Sequence, residues 1–220
     1  KLARRYWAQK GTPKPELVTA EHSFHGRTIA TVTATGQPKY HQGFEPMLPG
    51  VHYVPFNDID ALAKAVTPQV GAILLEPIQG EGGIRPPADD YLQKVRDLCN
   101  EKQILLILDE VQSGLGRTGK LFAHEHYGIT PDIMTLAKGL GSGMPIGAVV
   151  ARASLMKQWK KGAHGNTFGG NPVSCAAANA TIDLVRDQYA ANAARVGAHF
   201  MKRLHEMKAD YPCIGDIRGY

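Results

Sequence analysis

The feature that most constrains this chain is a series of short, nearly unbroken apolar runs separated by amphipathic stretches. Glu16 to Ala20, Val51 to Val54, Val70 to Leu75, Ile104 to Asp109, Ile133 to Ala137 and Gly147 to Ala151 read as strands, while Ile59 to Val66 and Asp89 to Glu101 read as helices. An antiparallel sheet with one wet face would alternate apolar and polar residues. Continuous apolar strands joined through helices instead require a sheet covered on both faces, which is what a parallel arrangement provides. The predicted class is α/β, with a mostly parallel central sheet and helices on both sides.

From Pro172 to about Met207 the pattern turns helical and rich in alanine, with Asn171-Pro172 as its start and no further strand signal until Ile214. Asn before Pro is a helix opening: the side chain accepts from the free N–H groups of the first turn, and proline supplies a preset φ. This stretch is expected to leave the sheet, giving a large domain over residues 1–185 and the beginning of a smaller α/β domain over 186–220. The chain opens at Lys1 without a methionine, in what reads as the middle of a helix, and stops at Tyr220 just after an apparent strand start. A fragment missing both ends is the expectation.

Composition excludes several classes. With 43% hydrophobic and 20% charged residues over 220 positions the chain can bury a sizeable core and is not disordered. No apolar run approaches the roughly 20 residues needed to cross a bilayer. No charged and then apolar leader is visible, so a cytoplasmic location is expected. Cys99, Cys175 and Cys213 form no C-x-x-C pair and are odd in number, which fits buried free thiols without a catalytic role in a reducing compartment. The net charge of +5 comes from scattered basic residues, so no nucleic-acid partner is expected.

In an open parallel sheet, ligands bind beyond the carboxyl ends of the strands. Three runs end there in ionisable groups: Leu74-Leu75 in Glu76, Ile104 to Leu108 in Asp109-Glu110, and Ile133 to Ala137 in Lys138. One charged strand end usually marks the chain emerging into water, but a lysine and carboxylates together point to a site. Gly114-Leu-Gly-Arg-Thr-Gly119-Lys120 satisfies the spacing of a phosphate loop. Leu121 follows, however, where magnesium would need a hydroxyl, and the strand ending in Asp-Glu lies before the loop instead of after it. Gly139-Leu-Gly141-Ser-Gly143 misses the dinucleotide spacing and reads as close backbone packing beside a ligand. His22 with His25, and His124 with His126, lack the partners of a zinc site and are expected to be surface or packing residues.

Five motifs together resemble the class III aminotransferases, the group of acetylornithine, ornithine and 4-aminobutyrate aminotransferases with the fold type I architecture. They are Ser23-Phe-His-Gly-Arg-Thr28, Leu75-Glu-Pro-Ile-Gln-Gly-Glu-Gly-Gly83, Leu108-Asp-Glu-Val-Gln112 with Gly116-Arg-Thr-Gly119, Leu136-Ala-Lys-Gly139, and His164-Gly-Asn-Thr-Phe-Gly-Gly-Asn-Pro172. The resemblance runs over essentially the whole chain and implies pyridoxal 5'-phosphate as cofactor. Lys138 is then similar to the lysine that binds the cofactor's aldehyde and later moves the substrate proton, for which burial and nearby positive charge would keep its amine neutral part of the time. Asp109 resembles the carboxylate that pairs with the pyridine nitrogen. By the same resemblance Val111 and Phe24 pack on opposite faces of the ring, Gln112 bonds the phenolic oxygen, and Thr167 reaches the cofactor phosphate of a neighbouring subunit, implying a homodimer with shared sites. Asn166 departs from the serine common before that threonine.

For substrate, Arg27 matches a position that grips a carboxylate, which a guanidinium fork does bidentately. Glu76 and Glu81 match glutamates lining the site, the second of which pairs in relatives with an arginine that would lie beyond Tyr220; a phosphate-binding loop would precede Lys1. The implied reaction moves the terminal amine of N-acetylornithine, or a similar ω-amino donor, to 2-oxoglutarate. Gly36-Gln-Pro-Lys-Tyr40 and Val54-Pro-Phe-Asn-Asp58 look like acetylornithine enzymes, whereas Gly143-Met-Pro-Ile-Gly147 and Ile214-Gly-Asp-Ile-Arg218 look equally like 4-aminobutyrate enzymes. A racemase or decarboxylase on the same fold would use the same lysine and aspartate.

Overall fold

Six strands, β1 (Glu16–Ala20), β2 (Val51–Val54), β3 (Val70–Leu75), β4 (Leu105–Asp109), β5 (Ile133–Leu136) and β6 (Ala148–Ala151), form one sheet in the order β2-β1-β3-β4-β5-β6. This computed structural model describes residues 1–157 and 159–220. The first five strands are parallel, and β6 closes the edge antiparallel to β5, with Ile133 opposite Ala151 and Leu136 opposite Ala148.

Side-chain alternation along the strands builds two cores. Leu106 and Leu108 of β4 join Val18, Val70, Ile73 and Leu75 under the helices Ile59–Ala65 and Tyr91–Glu101, with Leu62, Leu92 and Val95 fully buried between the layers. On the opposite face Ala72, Leu105 and Ile133 meet Leu2 and Trp7 of the first helix, Leu2–Gln9, and Leu155 of the helix Ala153–Met156. Each such fully buried leucine contributes about 1.5–3 kcal/mol relative to exposure.

Asn171 caps the long helical run as its sequence suggests, accepting from the amides of Val173 and Ser174 at 3.0 and 3.1 Å. The run comprises Pro172–Leu184, one π turn at Val185–Tyr189, and Ala190–Asp210. It packs against the glycine-rich segment after β4. A Cβ on Gly116 would come within 2.8 Å of Val185 Cγ1, and one on Gly119 within 2.7 Å of Ala194 Cβ, so these glycines permit close helix approach. Both also have φ near +80 to +90°, which glycine alone adopts freely. The resemblance to a phosphate loop is therefore a packing motif.

Two expectations are corrected. Residues from Ile214 onward form no strand, because no described strand lies beside them to complete a hydrogen-bond ladder. The cysteines are free but not uniformly buried: Cys99 is buried, Cys175 partly so, and Cys213 exposed. The helix Ile29–Ala34 arises from a sequence rich in β-branched residues; Thr28 and Thr31 form a reciprocal cap that starts it.

Candidate active site

The strand order reverses between β1 and β3: the chain runs outward from β1 to β2, then returns to lay β3 on the other side of β1. Such a switch point leaves a crevice at the carboxyl ends of the strands. The segment after β1 crosses it. His25, fully enclosed, lies with Nδ1 2.8 Å from Asp109 Oδ2 at the end of β4, two strands away, and its Nε2 lies 3.1 Å from the Thr19 hydroxyl of β1. Its own backbone N–H donates to Thr35 Oγ1 at 2.9 Å.

This chain fixes a tautomer. An ionised Asp109 only accepts, so His25 Nδ1 carries the proton in that bond, and Nε2 is left to meet Thr19. The other oxygen, Oδ1, accepts the backbone N–H of Val111 at 3.1 Å. Asp109 is thus buried yet held by one imidazole and one backbone amide, one on each oxygen.

Glu76 sits between these groups. Oε2 accepts from the Phe24 amide at 3.3 Å and Oε1 from the Gly80 amide at 3.5 Å. Burial pushes its carboxyl up to about 7; His25 opposes the rise and the Asp109 charge adds to it. Gln112 passes directly over Gly80, where an added Cβ would lie 2.7 Å from its Oε1. Glu76, Phe24, Gln112, Val111 and Asp109 therefore share one floor.

Lys138 follows β5, whose Thr135 is registered against Asp109. It takes a left-handed backbone, φ 45°, and begins the 3-10 turn Lys138–Gly141. A non-glycine residue there is costly, on the order of 1 kcal/mol. The turn holds because Leu140 is buried against Met134, Leu136 and Ala178. Lys138 itself is exposed, so the burial expected around it is not supplied by this chain's own residues. The adjoining Gly141 packs on Ile146, consistent with close backbone packing in the Gly139–Gly143 run.

Glu81 stands at the mouth. Tyr40 donates its hydroxyl to Oε1 at 2.5 Å, Gln37 Nε2 donates to Oε2 at 2.5 Å, and Lys39 Nζ lies 3.6 Å from Oε1. These bonds, led by Tyr40, hold its carboxyl below the usual range. The Arg27 guanidinium lies over Phe24 and Tyr40, 5.5 and 5.2 Å from their ring centres. Thr167 lies in an exposed turn.

Two groups were missed in the sequence. His25 is not a surface or packing histidine: it is paired with Asp109, and only the crossing of β3 brings the two together. Glu110, read as one end of an acidic pair, turns away from the crevice and is fully buried. It accepts from Ser113 Oγ, the amides of Ala123 and His124, and pairs with His124 Nδ1 at 3.0 Å. His126 meets Thr118 instead.

A carboxylate, a lysine and a flanking amide and phenyl ring meet at the carboxyl edge of a parallel sheet. Asp109 as a carboxylate offers about four acceptor sites, of which the His25 and Val111 contacts use two, and the absent side chain of Gly80 leaves Gln112 its place, so these residues fit pyridoxal phosphate. Residues 1–220 match the family described as aminotransferase class-III, and the chain belongs to that family. It is 51% identical to the acetylornithine aminotransferase of Caldanaerobacter subterraneus subsp. tengcongensis, over all of this chain and 56% of that protein. It is 48% identical to that of Methanocaldococcus jannaschii, again over all of this chain and 56% of the relative. The chain thus spans about half the length of these relatives. Among solved structures, the ornithine aminotransferase of Toxoplasma gondii ME49 superposes with a TM-score of 0.94 at 39% identity, covering 99% of this chain and 53% of that one. An amine transaminase from an uncultivated Pseudomonas species, in its PLP-bound form, superposes at 0.90 with 30% identity, covering 99% and 56%. The fold is fold type I, and the family's cofactor is pyridoxal phosphate.

Proposed function

We propose that the protein transfers the terminal amino group of N-acetylornithine, or a closely similar ω-amino donor, to 2-oxoglutarate, giving glutamate. The observation that carries this is the placement of Asp109 and Lys138 at the ends of adjoining strands, with Glu76, Val111 and Gln112 beside them. The acetylornithine names of the similar proteins favour this donor over 4-aminobutyrate, and favour transfer over racemisation.

Bound pyridoxal phosphate supplies an aldehyde that captures the amine and a ring that takes up electrons when the neighbouring C–H proton leaves. Lys138 is the residue that would hold the cofactor's aldehyde, and its amine would move the proton of the amine-bearing carbon. Asp109 would hold the ring nitrogen in its protonated form. His25 and the Val111 amide keep Asp109 aimed, because each donates to one of its oxygens. Phe24 and Val111 would pack on opposite faces of the ring and keep water from the reacting bonds. Gln112 would donate to the phenolic oxygen, and Arg27 would take the donor's carboxylate at the mouth. Thr167 serves the phosphate of a neighbouring subunit, which makes the enzyme a homodimer with shared sites. Residues 1–185 form the cofactor domain and 186–220 begin the small one. Among the described residues no helix is long and apolar enough to cross a membrane, and a cytoplasmic enzyme with free thiols fits that picture.

The test is glutamate formation by the full-length protein from N-acetylornithine and 2-oxoglutarate. Asp109→Ala is expected to lower turnover at least a hundredfold. Release of carbon dioxide from the donor, or its inversion, without any keto-acid acceptor would replace this reading by the decarboxylase or racemase one.

A further inference from the structure

Behind His25 stand two hydroxyls that the transfer reaction leaves unused, those of Thr19 in β1 and of Ser23, both fully buried. Thr19 Oγ1 lies 3.1 Å from His25 Nε2 and 3.4 Å from Ser23 Oγ, and Ser23 Oγ lies 3.0 Å from the amide nitrogen of Gly36. Among the described residues neither hydroxyl makes a further hydrogen bond. A hydroxyl has one hydrogen to give, and an amide nitrogen only donates, so the direction of the chain is set at its far end. Ser23 accepts from Gly36 and gives its hydrogen to Thr19. Thr19 gives its own to His25 Nε2, and the ring is left to donate from Nδ1 to Asp109 Oδ2 at 2.8 Å. The carboxylate end, which only accepts, demands the same tautomer. Four hydrogen bonds thus run one way, from a backbone amide to Asp109.

We propose that Thr19 is a positioning residue for the ring-nitrogen site: as the donor to His25 Nε2, it fixes the rotation and tautomer of the imidazole that aims Asp109. This rests on the reading of Asp109 as the carboxylate that meets the cofactor's ring nitrogen. The local backbone is bent to deliver the chain. β1 ends at Ala20, and His22 takes a left-handed conformation, φ 61°, which costs a non-glycine residue on the order of 1 kcal/mol. The Ser23 amide turns back onto the Ala20 carbonyl at 3.3 Å, which brings its hydroxyl within reach of Thr19. Gly36 can approach because it has no side chain: a Cβ there would stand 2.1 Å from the Ala20 carbonyl oxygen. Its own carbonyl accepts the His22 amide at 2.8 Å, so the segment is tied on both sides. Without the Thr19 hydroxyl, Nε2 becomes a buried acceptor with no donor, and the ring can relieve that only by rotating away from Asp109.

The experiment uses the full-length protein and reads the imidazole and the cofactor separately. NMR of the cofactor-free protein carrying isotope-labelled histidine shows which ring nitrogen of His25 bears hydrogen, with His25→Asn identifying the signal. In wild type the hydrogen is expected on Nδ1 alone; hydrogen on Nε2 would reverse the chain and overturn the inference without any Thr19 variant being made. Thr19→Val keeps the shape and removes the hydroxyl. It is expected to replace the single signal by a mixture and to weaken pyridoxal phosphate binding about fivefold in an equilibrium titration, the size of one hydrogen bond. Thr19→Ser restores the hydroxyl and is expected to match wild type in both readouts. In a His25→Ala background Thr19→Val is expected to cost no further affinity, because Thr19 acts only through the imidazole. A merely structural Thr19 would cost the same in both backgrounds, and that result overturns the inference. Asp109→Asn is the reference for the underlying reading. If it binds the cofactor as well as wild type, the ring-nitrogen role of Asp109 fails and takes the inference with it, whereas weakened binding in Asp109→Asn with none in Thr19→Val overturns the inference alone.

Discussion

Replacing Glu76 with glutamine should change how stability depends on pH. In the unfolded chain this carboxyl ionises near its ordinary 4.5; in the folded protein burial delays ionisation to about 7. Between those values the folded state holds a proton that the unfolded state has released. Stability therefore falls as pH rises through that window, at about 1.4 kcal/mol per pH unit, and levels off above 7. The carboxyl is 4% exposed, so solvent screens the effect little. Between pH 5 and pH 8 wild type should lose about 3 kcal/mol that Glu76→Gln does not, since glutamine has no proton to release. Urea unfolding of both proteins, each without cofactor, at the two pH values measures this directly, and all other titrating groups cancel in the comparison to first order. Glu76→Gln should gain about 3 kcal/mol on wild type over that interval. Parallel behaviour of the two proteins from pH 5 to 8 would refute the buried, late-ionising carboxyl.

Three further outcomes are expected. His25→Ala removes a charge-assisted bond from Asp109, of about 1.5–3 kcal/mol, and should weaken pyridoxal phosphate binding tenfold or more in an equilibrium titration; unchanged affinity would mean Asp109 is set without its histidine. Glu110→Ala strands the Ser113, Ala123 and His124 donors in the interior and should cost about 3 kcal/mol or more, read as a fall in melting temperature. Gly119→Val places a branched side chain at φ 89° against Ala194 and should destabilise by more than about 2 kcal/mol, seen as early protease cleavage around the last helix.

Some of this architecture is written locally in the sequence and some is not. All six strands fall within a residue or so of their apolar runs, because a strand buried on both faces tolerates few polar residues along its length. Asp109, Glu76 and Lys138 could be placed because strand ends are where such runs stop. His25 could not: its partner is 84 positions away, and nothing in Ser23-Phe-His says that this segment crosses β3. The same holds for Glu81, whose holders Gln37 and Tyr40 lie about 40 residues upstream and meet it only through the fold. The helix Ile29–Ala34 was hidden by threonine, valine and isoleucine, whose strand preference loses to a threonine cap. The strand signal at Ile214 was real as a pattern, but a strand exists only when another strand pairs with it.

The proposed role of Lys138, which follows β5 in a left-handed turn, is that of the lysine that takes the cofactor. It is tested most directly by reducing the cofactor-loaded full-length protein with borohydride and mapping the modified peptide by mass spectrometry. The account predicts loss of the visible band and a single pyridoxyl adduct on Lys138. An adduct on any other lysine, with Lys138 unmodified, would contradict it.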